Sequence, residues 1–80
     1  MGIFNNVKFK ILENFILSLG YIKIKQEGSH IKYDLFGKSL IIPKHNEISR
    51  GTLNNIFKIV SFHINIDKKD IEKKFLDFLK

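Results

Sequence analysis

Spacing of apolar residues near the start of the chain predicts an amphipathic helix from about Asn6 to Leu19. Apolar side chains recur every three or four positions and form one broad stripe: Val7, Ile11, Leu12, Phe15, Ile16 and Leu19. Asn5 or Asn6 is a suitable N-cap, and Gly20 stands where a left-handed C-cap favours glycine. The polar side of the helix is predicted to consist of Lys8, Lys10, Glu13 and Asn14.

Three short segments with period-two alternation follow, and each predicts a β-strand. They cover Tyr21–Gln26, Ser29–Leu35 and Ser39–Ile42, and Pro43 ends the third because proline cannot donate a ladder hydrogen bond. The connections between these segments are short, which predicts an antiparallel meander.

The alternation also predicts the two faces of this sheet. Within the first strand, Ile22 and Ile24 are predicted to point one way and Tyr21, Lys23 and Lys25 the other. In the second strand, apolar residues at alternate positions are expected to face the helices: Ile31, Tyr33 and Leu35. His30 and Lys32 would then lie on an open surface, together with some of the lysines Lys23 and Lys25. This assignment depends on strand register, since a slip of one residue exchanges the faces.

The last third of the chain predicts two further helices. One extends from Ser49, its N-cap, to about Phe62, and the other covers Lys68–Leu79. Asp67 precedes the second helix, and Asp70 lies three residues on in the manner of a capping box. The sequence therefore predicts an α+β fold in the order α-β-β-β-α-α. At 80 residues the chain has the length of a single domain, 1–80.

Composition narrows the classes of function. The chain contains no cysteine, which excludes disulfides and thiolate zinc sites. Its net charge is +6, and most of the excess lies in residues 1–58. Such a surface suits nucleic acid or an acidic protein partner. No apolar run approaches the ~18 residues of a membrane span, so we expect a soluble, cytoplasmic protein without membrane contact.

The turn between the first two predicted strands carries the candidate chemistry. Gly28 permits a tight turn, Ser29 can hold it by a local hydrogen bond, and His30 then begins a strand. Histidine has the unperturbed pKa closest to neutral pH, so a fixed histidine beside lysines suits proton transfer on a phosphate-bearing substrate. On these residues alone, an ordinary surface histidine is the commoner interpretation.

The other two histidines carry weaker signals. His45 lies in a polar loop and is the nearest candidate for a general acid, although an ordinary surface histidine is the better interpretation. His63 is interpreted as structural or exposed. The three histidines do not have metal-ligand spacing, so we expect no metal site and no cofactor.

Three pieces of this sequence, in order, resemble the HicA family of toxins. One is the helix that ends in Leu19-Gly20-Tyr21, and another is Gln26-Glu27-Gly28-Ser29-His30, which contains the Gly-Ser-His motif of the family. The third combines Ile42-Pro43-Lys44-His45 with the segment Arg50-Gly51-Thr52-Leu53-Asn54-Asn55-Ile56-Phe57-Lys58. Glu27 departs from the pattern, because a basic residue often precedes the glycine in relatives.

The resemblance implies a double-stranded-RNA-binding-domain-like fold and a metal-independent mRNA interferase. By the match to Gly-Ser-His, His30 is the expected catalytic residue, and Gly28 and Ser29 set its position at the RNA. We expect Lys23, Lys25 or Lys32 to supply positive charge to the RNA. The implied partners are mRNA and a HicB-type antitoxin that covers the active surface, with the toxin a monomer when free and a hetero-oligomer in the complex.

Two other classes of function remain open from the sequence. A small basic α+β domain can hold RNA through its backbone without cutting it. An inert interaction protein could use the same basic face for an acidic partner. Substitution of His30 separates these alternatives, because only an enzyme would lose its activity with its fold intact.

Overall fold

The computed structural model describes residues 6–80, which form three helices and five strands. In chain order the elements are β1 (Val7–Lys8), α1 (Phe9–Ser18), β2 (Ile22–Glu27), β3 (His30–Leu35), β4 (Lys38–Pro43), β5 (Glu47–Ile48), α2 (Arg50–Ile64) and α3 (Lys68–Leu79). The strands β2, β3 and β4 form an antiparallel sheet in that order, and β1 pairs with β5. This arrangement confirms the predicted α+β class and agrees with a double-stranded-RNA-binding-domain-like fold.

One face of the three-stranded sheet packs against the helices. Ile31, Tyr33 and Leu35 of β3 are buried on this face, as their alternation predicts. At the centre of the helical layer, the ring of Phe75 from α3 lies 5.0 Å from that of Phe15 and 5.4 Å from that of Phe57. These edge-on aromatic contacts join α1, α2 and α3. No helix of residues 6–80 covers the opposite face of the sheet, so its side chains are open to binding.

The beginning of the first helix differs from the prediction. Residues Val7 and Lys8 form a short strand with Ile48 and Glu47, and α1 starts only at Phe9. Asn6 does not cap the helix but donates a hydrogen bond to the Glu47 carboxylate. The alternative cap, Asn5, lies outside the described residues. The apolar spacing of Val7 fits the core in either conformation, because its side chain is buried as part of β1.

The predicted caps of the later helices have different outcomes. The side chain of Ser49 accepts a hydrogen bond from the backbone N–H of Thr52, so its capping role is confirmed. Asp67 occupies the N-cap position of α3, but its side chain makes no capping hydrogen bond, and the capping box with Asp70 is wrong. Instead, the Asp67 carbonyl accepts the backbone N–H of Asp70. Helix α2 also continues two residues beyond the predicted end, to Ile64.

Glu13 corrects the predicted polar side of α1. It is only 5% exposed, and its carboxylate accepts a 2.7 Å hydrogen bond from the Tyr33 hydroxyl. The ammonium groups of Lys10 and Lys23 lie 3.4 and 3.7 Å from the same carboxylate. These partners satisfy the buried charge and so connect α1 with β2 and β3.

Among residues 6–80, no helix is both long enough and apolar enough to cross a membrane.

Candidate nucleic-acid interface

The register of the sheet determines which side chains share its open face. His30 lies opposite Glu27 on β2 and Pro43 on β4. Lys32, two residues along β3, lies opposite Lys25 on one side and Ile41 on the other. Directly opposed residues point to the same face, and alternate residues along a strand are about 7 Å apart. The imidazole and two lysines therefore occupy neighbouring rows on one open surface.

A β-bulge separates Lys25 from Lys23. The register of β2 shifts between these two residues, so that Lys23 lies opposite the buried Tyr33. The Lys23 ammonium accordingly lies 3.7 Å from the Glu13 carboxylate on α1, on the helix side of the sheet. A bulge inserts one extra residue and changes the face to which later side chains point. Of the two lysines expected near His30, the structure brings only Lys25 to its face.

Lys25 and Lys32 form an opposed pair of like charges. Lys25 is exposed and Lys32 is partly exposed, and both lie on the open face. Like charges directly opposite each other destabilise a sheet, so folding alone gives no reason for this arrangement. Between them, however, they create a positive field one row from His30, and such a field favours an anion.

The Gly28–Ser29 turn fixes the position of His30. Gly28 has a φ of 60° and connects Glu27 to His30 in a two-residue hairpin. This φ is strained for any residue with a Cβ, although no atom of the described chain, apart from the adjacent residues, lies within 4 Å of where a Cβ would stand. The carbonyl of Ser29 accepts the backbone N–H of Lys44, which ties the turn to the chain after β4. His30 is therefore presented from a hairpin held on both sides.

Glu27 is the acidic neighbour of His30 on the open face. Its carboxylate lies 3.4 Å from the Lys25 ammonium, and both side chains are exposed. An exposed pair of this kind contributes little to stability, ~0–1 kcal/mol. Its main effect is electrostatic, because the carboxylate offsets part of the positive charge beside the imidazole.

A shallow depression of about 370 Å³ contains His30 and its neighbours. It is lined by Lys25, Glu27, His30, Lys32, Ser39 and Ile41. Exposed apolar side chains also occur on β2 and β4, where Ile22, Ile24 and Ile41 are each about half exposed. The open side of the sheet thus combines cationic groups with apolar surface, a mixture that can serve both an anionic ligand and a protein partner.

The other two histidines lie in different surroundings. His45 follows β4 and lines a separate groove with Lys8, Lys10 and Lys44, so it does not share the depression of His30. His63, near the end of α2, has its Nδ1 2.8 Å from the Tyr21 hydroxyl. Burial, and secondarily the charge of Lys38, lower the pKa of His63. Burial also raises the pKa of Tyr21 to about 12. The contact with Tyr21 agrees with the structural interpretation of His63.

Within the described part of the chain, no three side chains of the His, Cys, Asp or Glu type come together as a metal site. The open face itself presents the imidazole of His30 and the ammonium groups of Lys25 and Lys32. These groups can accept a proton and stabilise negative charge on phosphate oxygens.

Fold and surface together define a small α+β protein whose open sheet face presents a histidine beside paired lysines. The family model described as HicA toxin of bacterial toxin–antitoxin systems matches residues 9–61, which is more than half of the chain. The chain therefore belongs to the HicA toxin family, and this membership implies an antitoxin partner. No curated protein and no solved structure gave a match. The matched segment includes α1, the three-stranded sheet and most of α2, but not α3.

Proposed function

We propose that this chain is a metal-independent endoribonuclease that cuts mRNA as the toxin of a toxin–antitoxin pair. The proposal rests on one arrangement. His30 lies on an open face, in the row next to the opposed lysines Lys25 and Lys32. Family membership supplies the second support, since a HicA toxin acts within a toxin–antitoxin system.

His30 acts as the general base in this mechanism. It removes the proton from a ribose 2′-hydroxyl, and the 2′-oxygen attacks the adjacent phosphorus. The bond from phosphorus to the 5′-oxygen breaks, which leaves a 2′,3′-cyclic phosphate and a 5′-hydroxyl. The leaving 5′-oxygen takes its proton from water at the open face. A general base positioned in this way typically contributes about 10²–10⁴-fold to the rate.

Lys25 and Lys32 stabilise the negative charge that develops on the phosphate oxygens during the attack. Their mutual repulsion decreases when an anion lies between them, so RNA binding relieves the unfavourable pair. Gly28 and Ser29 act through the backbone by holding the hairpin from which His30 projects. Lys23 is not included in this RNA contact, because its ammonium lies beside Glu13 on the helix side.

An antitoxin of the HicB type covers the same face in the inactive complex. The exposed isoleucines Ile22 and Ile41 provide apolar contact area around the cationic groups, as protein interfaces require. We take residues 1–80 as one domain that acts in the cytoplasm, as a monomer when free and as a hetero-oligomer with the antitoxin.

RNA cleavage by the purified chain in EDTA tests this function. The wild type should cut single-stranded RNA, and His30→Ala should lose at least 10²-fold of the rate while its circular dichroism and RNA affinity stay unchanged. Lys25→Gln and Lys32→Gln should each lower the rate. Lys23→Gln is the matched control, since it removes the same charge from the same strand on the other face.

Two outcomes would contradict the proposal. If the wild type and His30→Ala bind RNA equally and neither cuts it, the chain is a non-catalytic RNA-binding module of the same fold. If cleavage survives in His30→Ala at the rate of the wild type, a different group performs the proton transfer.

A further inference from the structure

A second cationic groove lies at the end of the sheet where β3 begins and β4 ends. It has a volume of about 400 Å³ and is lined by Lys8, Phe9, Lys10, Lys44, His45, Asn46 and Glu47. Three lysines face one glutamate in this groove, and the ammonium groups come from β1, α1 and the β4–β5 connection. The groove is separate from the depression that contains His30.

Backbone hydrogen bonds hold the elements of this groove together. Phe9 donates its N–H to the carbonyl of Asn46, and His45 donates to the carbonyl of Pro43. Lys8 pairs with Glu47 across the β1–β5 ladder. The cationic residues thus project from a braced backbone rather than from a free loop, so less entropy is lost when they bind a ligand.

The charges in the groove are only partly neutralised. Glu47 lies opposite Lys8 and also accepts a hydrogen bond from Asn6. The Lys10 ammonium is 3.4 Å from Glu13, but its side chain is 77% exposed and retains donors for another acceptor. No acidic residue occurs in the first turn of α1, and Lys8 at its N-cap makes no capping hydrogen bond. The helix start adds its positive end to the field of the groove.

A backbone hydrogen bond connects the groove with the hairpin that carries His30. Lys44 donates its backbone N–H to the carbonyl of Ser29, the residue directly before His30. Pro43, the strand partner of His30, directly precedes Lys44. The chain from Pro43 to Lys44 therefore leads from the strand partner of His30 into the groove.

On this geometry we propose that the groove of Lys8, Lys10, Lys44 and His45 is a second RNA-backbone site, which holds phosphates beyond the cleaved bond. The inference rests on the proposed ribonuclease function and adds a sequence-independent contact to it. RNA fits the groove better than an antitoxin surface does, because lysine is depleted in protein interfaces. Two exposed isoleucines suited to a protein partner, Ile22 and Ile41, lie on the open sheet face instead.

Salt-dependent RNA binding tests this site. Each variant is made in the His30→Ala background, and its affinity for a labelled single-stranded RNA is measured by fluorescence anisotropy across a salt series. Lys8→Gln/Lys44→Gln should lower the slope of log affinity against log salt by about 1.4, since each lost phosphate contact on a single strand accounts for ~0.7. Lys69→Gln/Lys73→Gln, which removes the same charge from the exposed side of α3, should leave the slope unchanged.

Cleavage with His30 present separates this proposal from the ribonuclease function. The groove variant should raise KM for a long RNA and leave cleavage of a dinucleotide unchanged, because a dinucleotide is too short to reach the groove. If the wild type cuts RNA but the two double variants have the same slope, the groove proposal is wrong and the ribonuclease stands. If the slope falls although the wild type cuts nothing, the groove binds RNA and the ribonuclease function is wrong. Loss of antitoxin binding with an unchanged slope would overturn the proposal in favour of a protein contact.

Discussion

Replacing Tyr33 with phenylalanine should destabilise the fold through its buried partner, Glu13. The Tyr33 hydroxyl donates a 2.7 Å hydrogen bond to the Glu13 carboxylate, and Tyr33 is fully buried. The substitution keeps the aromatic ring and removes only the donor. Its effect therefore measures the hydrogen bond rather than the packing of the side chain.

The expected cost is about 2 kcal/mol of unfolding free energy. A hydrogen bond to a charged group contributes ~1.5–3 kcal/mol, and a buried acceptor that loses its donor keeps its desolvation penalty. Lys10 and Lys23 remain near the carboxylate, so the loss is partial. In a domain of this size, 2 kcal/mol corresponds to a decrease in Tm of about 8–16 °C.

The contribution of Glu13 to the free energy of unfolding depends on pH. Burial acts to raise the pKa of Glu13, but the hydrogen bonds from Tyr33 and Lys10 and the charge of Lys23 outweigh it and lower the pKa. A carboxyl whose pKa is lower in the folded state stabilises the fold above its unfolded pKa, and this contribution disappears as the pH falls through the folded value. The difference in unfolding free energy between the wild type and Tyr33→Phe should accordingly become smaller in acid.

Urea unfolding at pH 7 and in acid measures this effect, with Glu13→Gln and the double variant completing a cycle. In the Glu13→Gln background, Tyr33→Phe should cost much less than in the wild type, because the charged acceptor is gone. A Tyr33→Phe variant as stable as the wild type at pH 7, or an equal cost in both backgrounds, would show that the hydrogen bond to the charged Glu13 does not stabilise the fold.

Three further substitutions have defined outcomes. Phe36 is 94% exposed with a φ of 50°, so Phe36→Asn should stabilise the fold by about 1 kcal/mol in urea unfolding, because asparagine adopts this conformation more readily. Phe75 is fully buried among aromatic rings, and Phe75→Ala should cost about 3–5 kcal/mol in the same assay. Glu27→Gln removes a negative charge opposite His30 and should tighten RNA binding about threefold at low salt by fluorescence anisotropy.

Each of these expectations has its own contradicting result. A less stable Phe36→Asn variant would mean that the aromatic side chain makes a stabilising contact. A small cost for Phe75→Ala would mean that α3 contributes little to the core. If Glu27→Gln tightens RNA binding equally at high salt, the effect is not electrostatic.

The sequence pattern was sufficient to predict the elements that have a strongly periodic apolar face. The bounds of α3 and the buried face of β3 agree with the alternation, because one periodic apolar face is enough to specify each of them. The strands β1 and β5 were missed because two residues carry no periodicity, and Val7 fits a helical stripe equally well. Their pairing is a long-range contact that appears only in the folded chain.

The sequence was sufficient to predict where His30 lies in the candidate site, but not where all of the lysines lie. His30 follows a turn whose glycine is readable from the sequence, whereas the face of Lys23 depends on a bulge between Lys23 and Lys25. Simple alternation places these two lysines together, and one extra residue in the strand separates them. The burial of Glu13 could not be predicted from the pattern either, because it requires a hydrogen bond from the Tyr33 hydroxyl, twenty positions away.

The chemistry assigned to His30 is tested most directly with an RNA that carries a single 2′-deoxynucleotide at the cleaved position. We expect the wild-type chain, in EDTA, to cut the unmodified RNA to a 2′,3′-cyclic phosphate and a 5′-hydroxyl and not to cut at the deoxynucleotide. Cleavage that persists at the deoxynucleotide, or products with a 5′-phosphate, would contradict attack by the 2′-oxygen and with it the role of His30 as its base.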